Sequence, residues 1–231
     1  HRDRERREVQ GFIGFRPDDD IALTALTPQA DSYRGPFPLI NTAVNLGGSS
    51  DLEVKSRRAG AFLLSPLYSG SRRDNIRYQL TSELFSGCAD MTLGAAVSIS
   101  GAAASPNMGY HTAALPAFLM TIFNVRLGWW VPNPRSWKEG WFRRNFPLTN
   151  LVAELFGSAT DKSPALDLSD GGHFENLGIY ELLRRRCRLI IACDAEQDDE
   201  LACGSLATLI RYAATDLNAH VEIDVSQIRD R

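Results

Sequence analysis

The stretch LSDGGHFENLGIYELLRRRCRLIIACDAE, residues 168–196, decides how the rest of the chain is read. The apolar run ALDL (165–168) leads into it at strand length, and Asp170-Gly171-Gly172 forms a loop. LGIYELLRRR (177–186) then reads as an amphipathic helix, with cations at its C-terminal end where the helix dipole favours them. LIIAC (189–193) is a continuous apolar run of the kind buried in parallel sheets. Ser205 to Leu217 has a second helical pattern, and Val221 to Val225 begins another strand. The order strand, loop, helix, strand, helix, strand predicts an α/β fold with a mainly parallel central sheet.

In such a sheet, ligands bind outside the carboxyl ends of the strands. Asp170 falls there, on a rigid support and open to a substrate. The glycines after it permit unusual backbone angles and let another main chain come close. Those are the demands of a carboxylate that must reach a reacting group. The same local pattern also suits an Asp that caps a backbone N–H at a helix-leading turn, and Asp-Gly-Gly alone does not choose between the two. His173, Glu175 and Asn176 come next. Asn176 is expected to cap the helix from Leu177, with His173 and Glu175 shaping the loop. Asp194, after LIIAC, reads as a loop residue or a cleft-lining one.

Working outward, PFPLINTAVNL (36–46) has the apolar character of a buried strand, and GGSSD (47–51) turns the chain. AGAFLLSPL (59–67) reads as a second strand. TLGAAVSISGAAA (92–104) is small and apolar, as a buried, closely packed helix would be, and SPNMG (105–109) ends it. AALPAFLMTIF (113–123) is a helix candidate too short to span a bilayer, which takes about 18–20 apolar residues. Residues 1–35 are a charged, loop-rich lead-in, and residues 36–231 hold the domain proper. The first residue is His and the final strand stops soon after it starts, so both ends read as cuts within a longer chain.

Hydrophobic residues make up 44% and charged residues 23% of the 231, which fits a soluble globular protein rather than a disordered one. A net charge of −3 argues neither for nucleic acid nor for a strongly charged partner, and no nucleic-acid partner is expected. The four cysteines form no CxxC pair and no Cys/His cluster, so buried, reduced thiols in a cytoplasmic protein are expected, with no metal and no cofactor.

With VSISGAAASPNMGYH (97–111), and with FPLINTAVNL (37–46) and FLLSPLYSGS (62–71) in support, residues 168–196 resemble the bacterial patatin-like phospholipases and, more distantly, the cytosolic phospholipases. The resemblance implies a three-layer α/β/α fold whose N-terminal part is missing here. It also implies lipid acyl hydrolysis by a Ser–Asp dyad, with Asp170 as the matching Asp of the family's DG[GA] motif and Gly171, Gly172, His173 and Asn176 as its supporting loop. The family's nucleophile lies in a GxSxG elbow beside a Gly-rich oxyanion loop, and neither occurs in these residues. Ser98 and Ser100 lack the flanking glycines and read as helix-packing serines. The serine is therefore expected from an N-terminal remainder of the same protein. A non-catalytic lipid-binding or assembly module that keeps the fold is the alternative.

An aromatic and basic excursion at 126–150 holds all four tryptophans, Trp129, Trp130, Trp137 and Trp141. Arg126, Arg135, Lys138, Arg143 and Arg144 against Glu139 give five minus one, or +4. Aromatics interleaved with cations suit a membrane surface and anionic headgroups, so a membrane-associated enzyme acting on lipid or acyl esters is the expectation. A surface loop that packs on its own domain is the plainer reading.

Overall fold

The computed structural model describes residues 19–28, 33–49, 57–86, 91–102, 129–136 and 160–229. Six strands form one curled sheet: β1 (Ile40–Asn45), β2 (Ala59–Leu64), β3 (Tyr68–Gly70), β4 (Tyr78–Leu80), β5 (Trp129–Pro132) and β6 (Ala165–Asp170). Their order is β4-β3-β2-β1-β6-β5, and every pairing is antiparallel. The described helices are α1 (Thr81–Leu84), α2 (Leu93–Ser100), α3 (Tyr180–Arg184), α4 (Gly204–Leu217) and α5 (Ser226–Arg229).

This corrects the expected parallel three-layer α/β/α sheet. The links 65–67 and 71–77 are too short for the crossover that parallel neighbours need, so β2, β3 and β4 can only meet antiparallel. The decisive strand is β6. It pairs with β1 on one side, Thr42 opposite Asp170, and with β5 on the other, Trp129 opposite Leu168. Both edges of β6 are taken, so no following strand can join it. Residues 189–193, expected as the next strand, have no strand partner, and Leu189 and Ile191 are 79% and 82% exposed. Residues 221–225 likewise lie outside the sheet.

The strand positions themselves follow from alternation. Val44, Leu46, Phe62, Leu64, Leu166 and Leu168 point to one face, where they pack with Ala96 and Ile99 of α2. Thr92 starts that helix by accepting a hydrogen bond from the Ala95 N–H at 3.1 Å. Ala43, Ala59 and Ala61 point the other way, under Phe174, Tyr180, Leu209 and Tyr212. The small side chains of this second face let α3 and α4 lie close. Arg57 ties α4 to the sheet with a two-pronged contact on Asp216, at 2.6 and 2.9 Å, while its guanidinium stacks 4.0 Å from the Tyr212 ring. Asn218, in the left-handed region at φ 48°, closes α4. The helix expected at 113–123 lies outside the described residues.

Candidate functional site

Asp170 is the last residue of β6 and leads into a short 3-10 helix, Gly171–His173. Its Oδ1 accepts the Gly172 N–H at 2.7 Å, so the capping geometry expected of a turn-leading Asp is present. Its Oδ2 has no hydrogen-bond partner among the described residues. One carboxylate oxygen is thus held by the turn and the other is not held by any described residue.

The two glycines are required by space. A Cβ on Gly171 would stand 2.6 Å from the main-chain oxygen of Asn41, which cannot give way without moving β1. A Cβ on Gly172 would stand 2.6 Å from Asn176 Oδ1. Close approach of backbone to backbone is one of the uses anticipated for these glycines, and here the approaching chain is β1. Asn41 also meets Gly178, whose φ of +70° suits glycine.

Helix α3 begins at Tyr180 rather than Leu177; Ile179 stands at its N-cap without a side-chain bond, and its first N–H, that of Tyr180, is taken by Glu175 rather than by Asn176. Glu175 is 5% exposed, and its two carboxylate oxygens accept the N–H groups of Leu177 at 2.6 Å and Tyr180 at 3.0 Å. That carboxylate meets one donor of the loop and one of the four N–H groups that a helix start leaves without an intrahelical partner. Asn176 is exposed and donates to Glu196, whose carboxylate also accepts from Ser205 at 2.7 Å. Asp194 accepts the Glu196 N–H at 2.9 Å in a local turn.

Asp170 borders an open cleft of about 520 Å³. Leu39, Ile40, Val97 and Leu177 give it aliphatic walls, and Val97 is 55% exposed. Ser100, at the end of α2, is the one hydroxyl among its described lining residues. Its proton goes to the main-chain oxygen of Asn41 at 2.7 Å, which fits the helix-packing role expected of it.

On the other side of the turn, His173 Nδ1 lies 3.0 Å from Ser169 Oγ. Phe174 follows and enters an aromatic cluster, 4.9 Å from the Tyr212 ring and 5.0 Å from Tyr180. The Tyr180 hydroxyl reaches Asp216 at 3.3 Å. Burial opposes ionisation of Asp216, but Arg57, with Thr215 and Tyr180, outweighs it and holds this carboxyl below its ordinary value. The residues that sequence reasoning missed here are Asn41, Asn45, Asp167 and Ser169. For Asn45, Asp167 and Ser169 the signal was polar side chains on one face of otherwise apolar strands, as in ALDLSD (165–170).

A second hollow of about 420 Å³ lies by Arg57, Arg73, Asp161 and Asp216, where the charges are closed into pairs: Arg57 on Asp216 at 2.6 Å and Arg73 on Asp161 at 3.2 Å. Trp129 is 52% exposed on β5. Trp130 points into the sheet's second face, 5% exposed, with its Nε1–H unpartnered among the described residues. Trp137 and Trp141 lie outside the described residues, as does most of the excursion at 126–150. Among the described residues no three His, Cys, Asp or Glu side chains are grouped to hold a metal ion, and no helix is long and apolar enough to cross a membrane. Comparison of the chain with protein families, curated proteins and solved structures finds no match.

Proposed function

We propose that this chain belongs to a cytoplasmic, membrane-associated lipid acyl hydrolase in which Asp170 is the proton-transferring carboxylate of a Ser–Asp dyad. The observation that carries the reading is the divided carboxylate: Oδ1 is held by Gly172, and Oδ2 has no partner among the described residues, beside a cleft with aliphatic walls. A carboxylate is a weak base in water. It gains strength where few donors reach it and water is displaced by an apolar substrate.

The reaction follows from that placement. The serine comes from outside these residues, since no GxSxG occurs among the 231. Its Oγ attacks the ester carbonyl carbon and its proton passes to Asp170 Oδ2. The tetrahedral intermediate collapses as the C–O bond to the alcohol breaks, and Asp170 returns the proton to the departing oxygen. Water then attacks the acyl-serine, giving its proton to Asp170. The carboxylic acid leaves as that proton goes back to serine. Leu39, Ile40, Val97 and Leu177 would receive the acyl chain.

Hydrolysis of a long-chain acyl ester by the full-length protein tests this. Asp170→Asn is expected to lower kcat by about a hundredfold or more, the usual worth of a proton-transfer group. Unchanged kcat overturns the reading. Membrane contact is proposed at Trp129, which is half exposed on β5. Sedimentation with vesicles of an anionic phospholipid should weaken severalfold for Trp129→Ala, and binding equal to wild type removes Trp129 from the contact.

A further inference from the structure

The face of the sheet beneath α3 and α4 carries a row of buried polar groups that the proposed chemistry does not use. Asn45 and Asp167 are 1% exposed and Ser169 is fully buried. Such groups cost roughly 1–3 kcal/mol each if left unpaired, so they persist only as a satisfied network. Followed from Asp167, the donors and acceptors along it assign the protons in turn.

Asp167 Oδ2 accepts from Asn45 Nδ2 at 3.0 Å. That turns the amide so that Asn45 Oδ1 faces Ser169 Oγ at 3.4 Å, the longest link in the chain. An amide oxygen only accepts, so the single hydroxyl proton of Ser169 is given to Asn45. Toward His173 Nδ1, at 3.0 Å, Ser169 is then an acceptor, and Nδ1 must carry the proton. We infer that His173 is a positioning residue for Asp170, locked with its proton on Nδ1 by the Ser169–Asn45–Asp167 chain. Free histidine in water favours the proton on Nε2, so the protein selects the less common tautomer.

The connection to Asp170 is direct along the chain. His173 closes the 3-10 helix that Asp170 leads into, and Gly172, in its middle, donates to Asp170 Oδ1. Gly171 is pressed on Asn41 at one end, and the His173 ring is tied to β6 at the other. The two anchors set the direction of the Asp170 carboxylate. This second step rests on the proposed role of Asp170; the tautomer does not.

The test is a long-range proton–nitrogen correlation spectrum of the full-length protein with ¹⁵N-labelled histidine, with His173 assigned by its loss in His173→Gln. It is recorded at about pH 8, above the ordinary histidine range. The expected spectrum has a protonated Nδ1 and an unprotonated Nε2. A protonated Nε2 with bare Nδ1 overturns the proposal, with no variant needed. In Asn45→Leu the Ser169 proton is released toward His173, and the tautomer should switch to Nε2–H. Ester hydrolysis supplies the functional arm. Ser169→Ala should lower kcat about tenfold with KM little changed, and an equal loss in both, or none, overturns the positioning role. If Asp170→Asn leaves kcat intact while Nδ1 carries the proton, the hydrolase reading fails and the tautomer assignment stands.

Discussion

At the Asp170 turn, chemistry and packing meet in adjacent residues. Gly172 holds one oxygen of the carboxylate, and the turn that places it there is possible because Gly171 fits against Asn41 without a side chain. Gly171→Ala should therefore destabilise the protein by about 1–3 kcal/mol, the range for forcing an extra methyl into a packed site. Gly204→Ala is the matched control. Nothing lies within 4 Å of its Cβ position, and it begins α4 with ordinary backbone, so a gain of about 0.4–1 kcal/mol is expected. Urea unfolding of both variants measures the contrast, and a Gly171→Ala variant as stable as wild type would refute the tight approach. Asp170 and both glycines stood out in the sequence because Asp-Gly-Gly is conspicuous. Asn41 did not, since its part is played through a main-chain oxygen, and a main-chain atom carries no residue-type signal. Glu175 was read only as shaping the loop; it also takes the first N–H of the helix, because that helix starts at Tyr180 rather than Leu177.

Among the elements, α4 is held to the sheet by Arg57, which bridges to Asp216 with two hydrogen bonds and stacks on Tyr212. Tyr212 in turn packs on Phe174, so this clamp supports the Asp170 turn from below. A double-mutant cycle of Arg57→Ala and Asp216→Ala should give a coupling of about 1–2 kcal/mol, shrinking in high salt because both groups are partly exposed. Since Asp216 ionises more readily folded than unfolded, its contribution is present above its ordinary value of 3.8 and is lost as pH falls below it. A coupling that is the same at acid and neutral pH would contradict the pairing. The existence and approximate place of β1, β2, β6, α2 and α4 were legible, because apolar runs and helical period are local signals, while their ends were not. The partners of β6 were not. LIIAC (189–193) has the composition of a parallel strand, but composition says nothing of whether an edge is open to receive it, and β1 and β5 already fill both edges of β6.

Across the whole molecule, the curled antiparallel sheet separates two faces with different tasks. One is an aliphatic core under α2; the other grades from alanines at β2 to the Asn45, Asp167 and Ser169 chain at β6. Burial of phenols beside α3 makes the fold sensitive to base. Burial, with Glu181 nearby, pushes the Tyr78 hydroxyl from 10 up to about 12, and burial beside Asp216 raises that of Tyr180. Both favour the neutral form in the folded state, so their stabilisation is full below pH 10 and is lost as pH rises toward 12. Phenolate absorbance during alkaline titration should show these two tyrosines ionising late and together with unfolding; ordinary titration before unfolding would contradict this. Activation of a serine by Asp170, as proposed, is read out by covalent labelling of the full-length protein with a fluorophosphonate probe. Wild-type protein is expected to label on one serine, and Asp170→Asn, with an unchanged circular dichroism spectrum, to label at least a hundredfold more slowly. Labelling of Asp170→Asn at the wild-type rate would contradict the account.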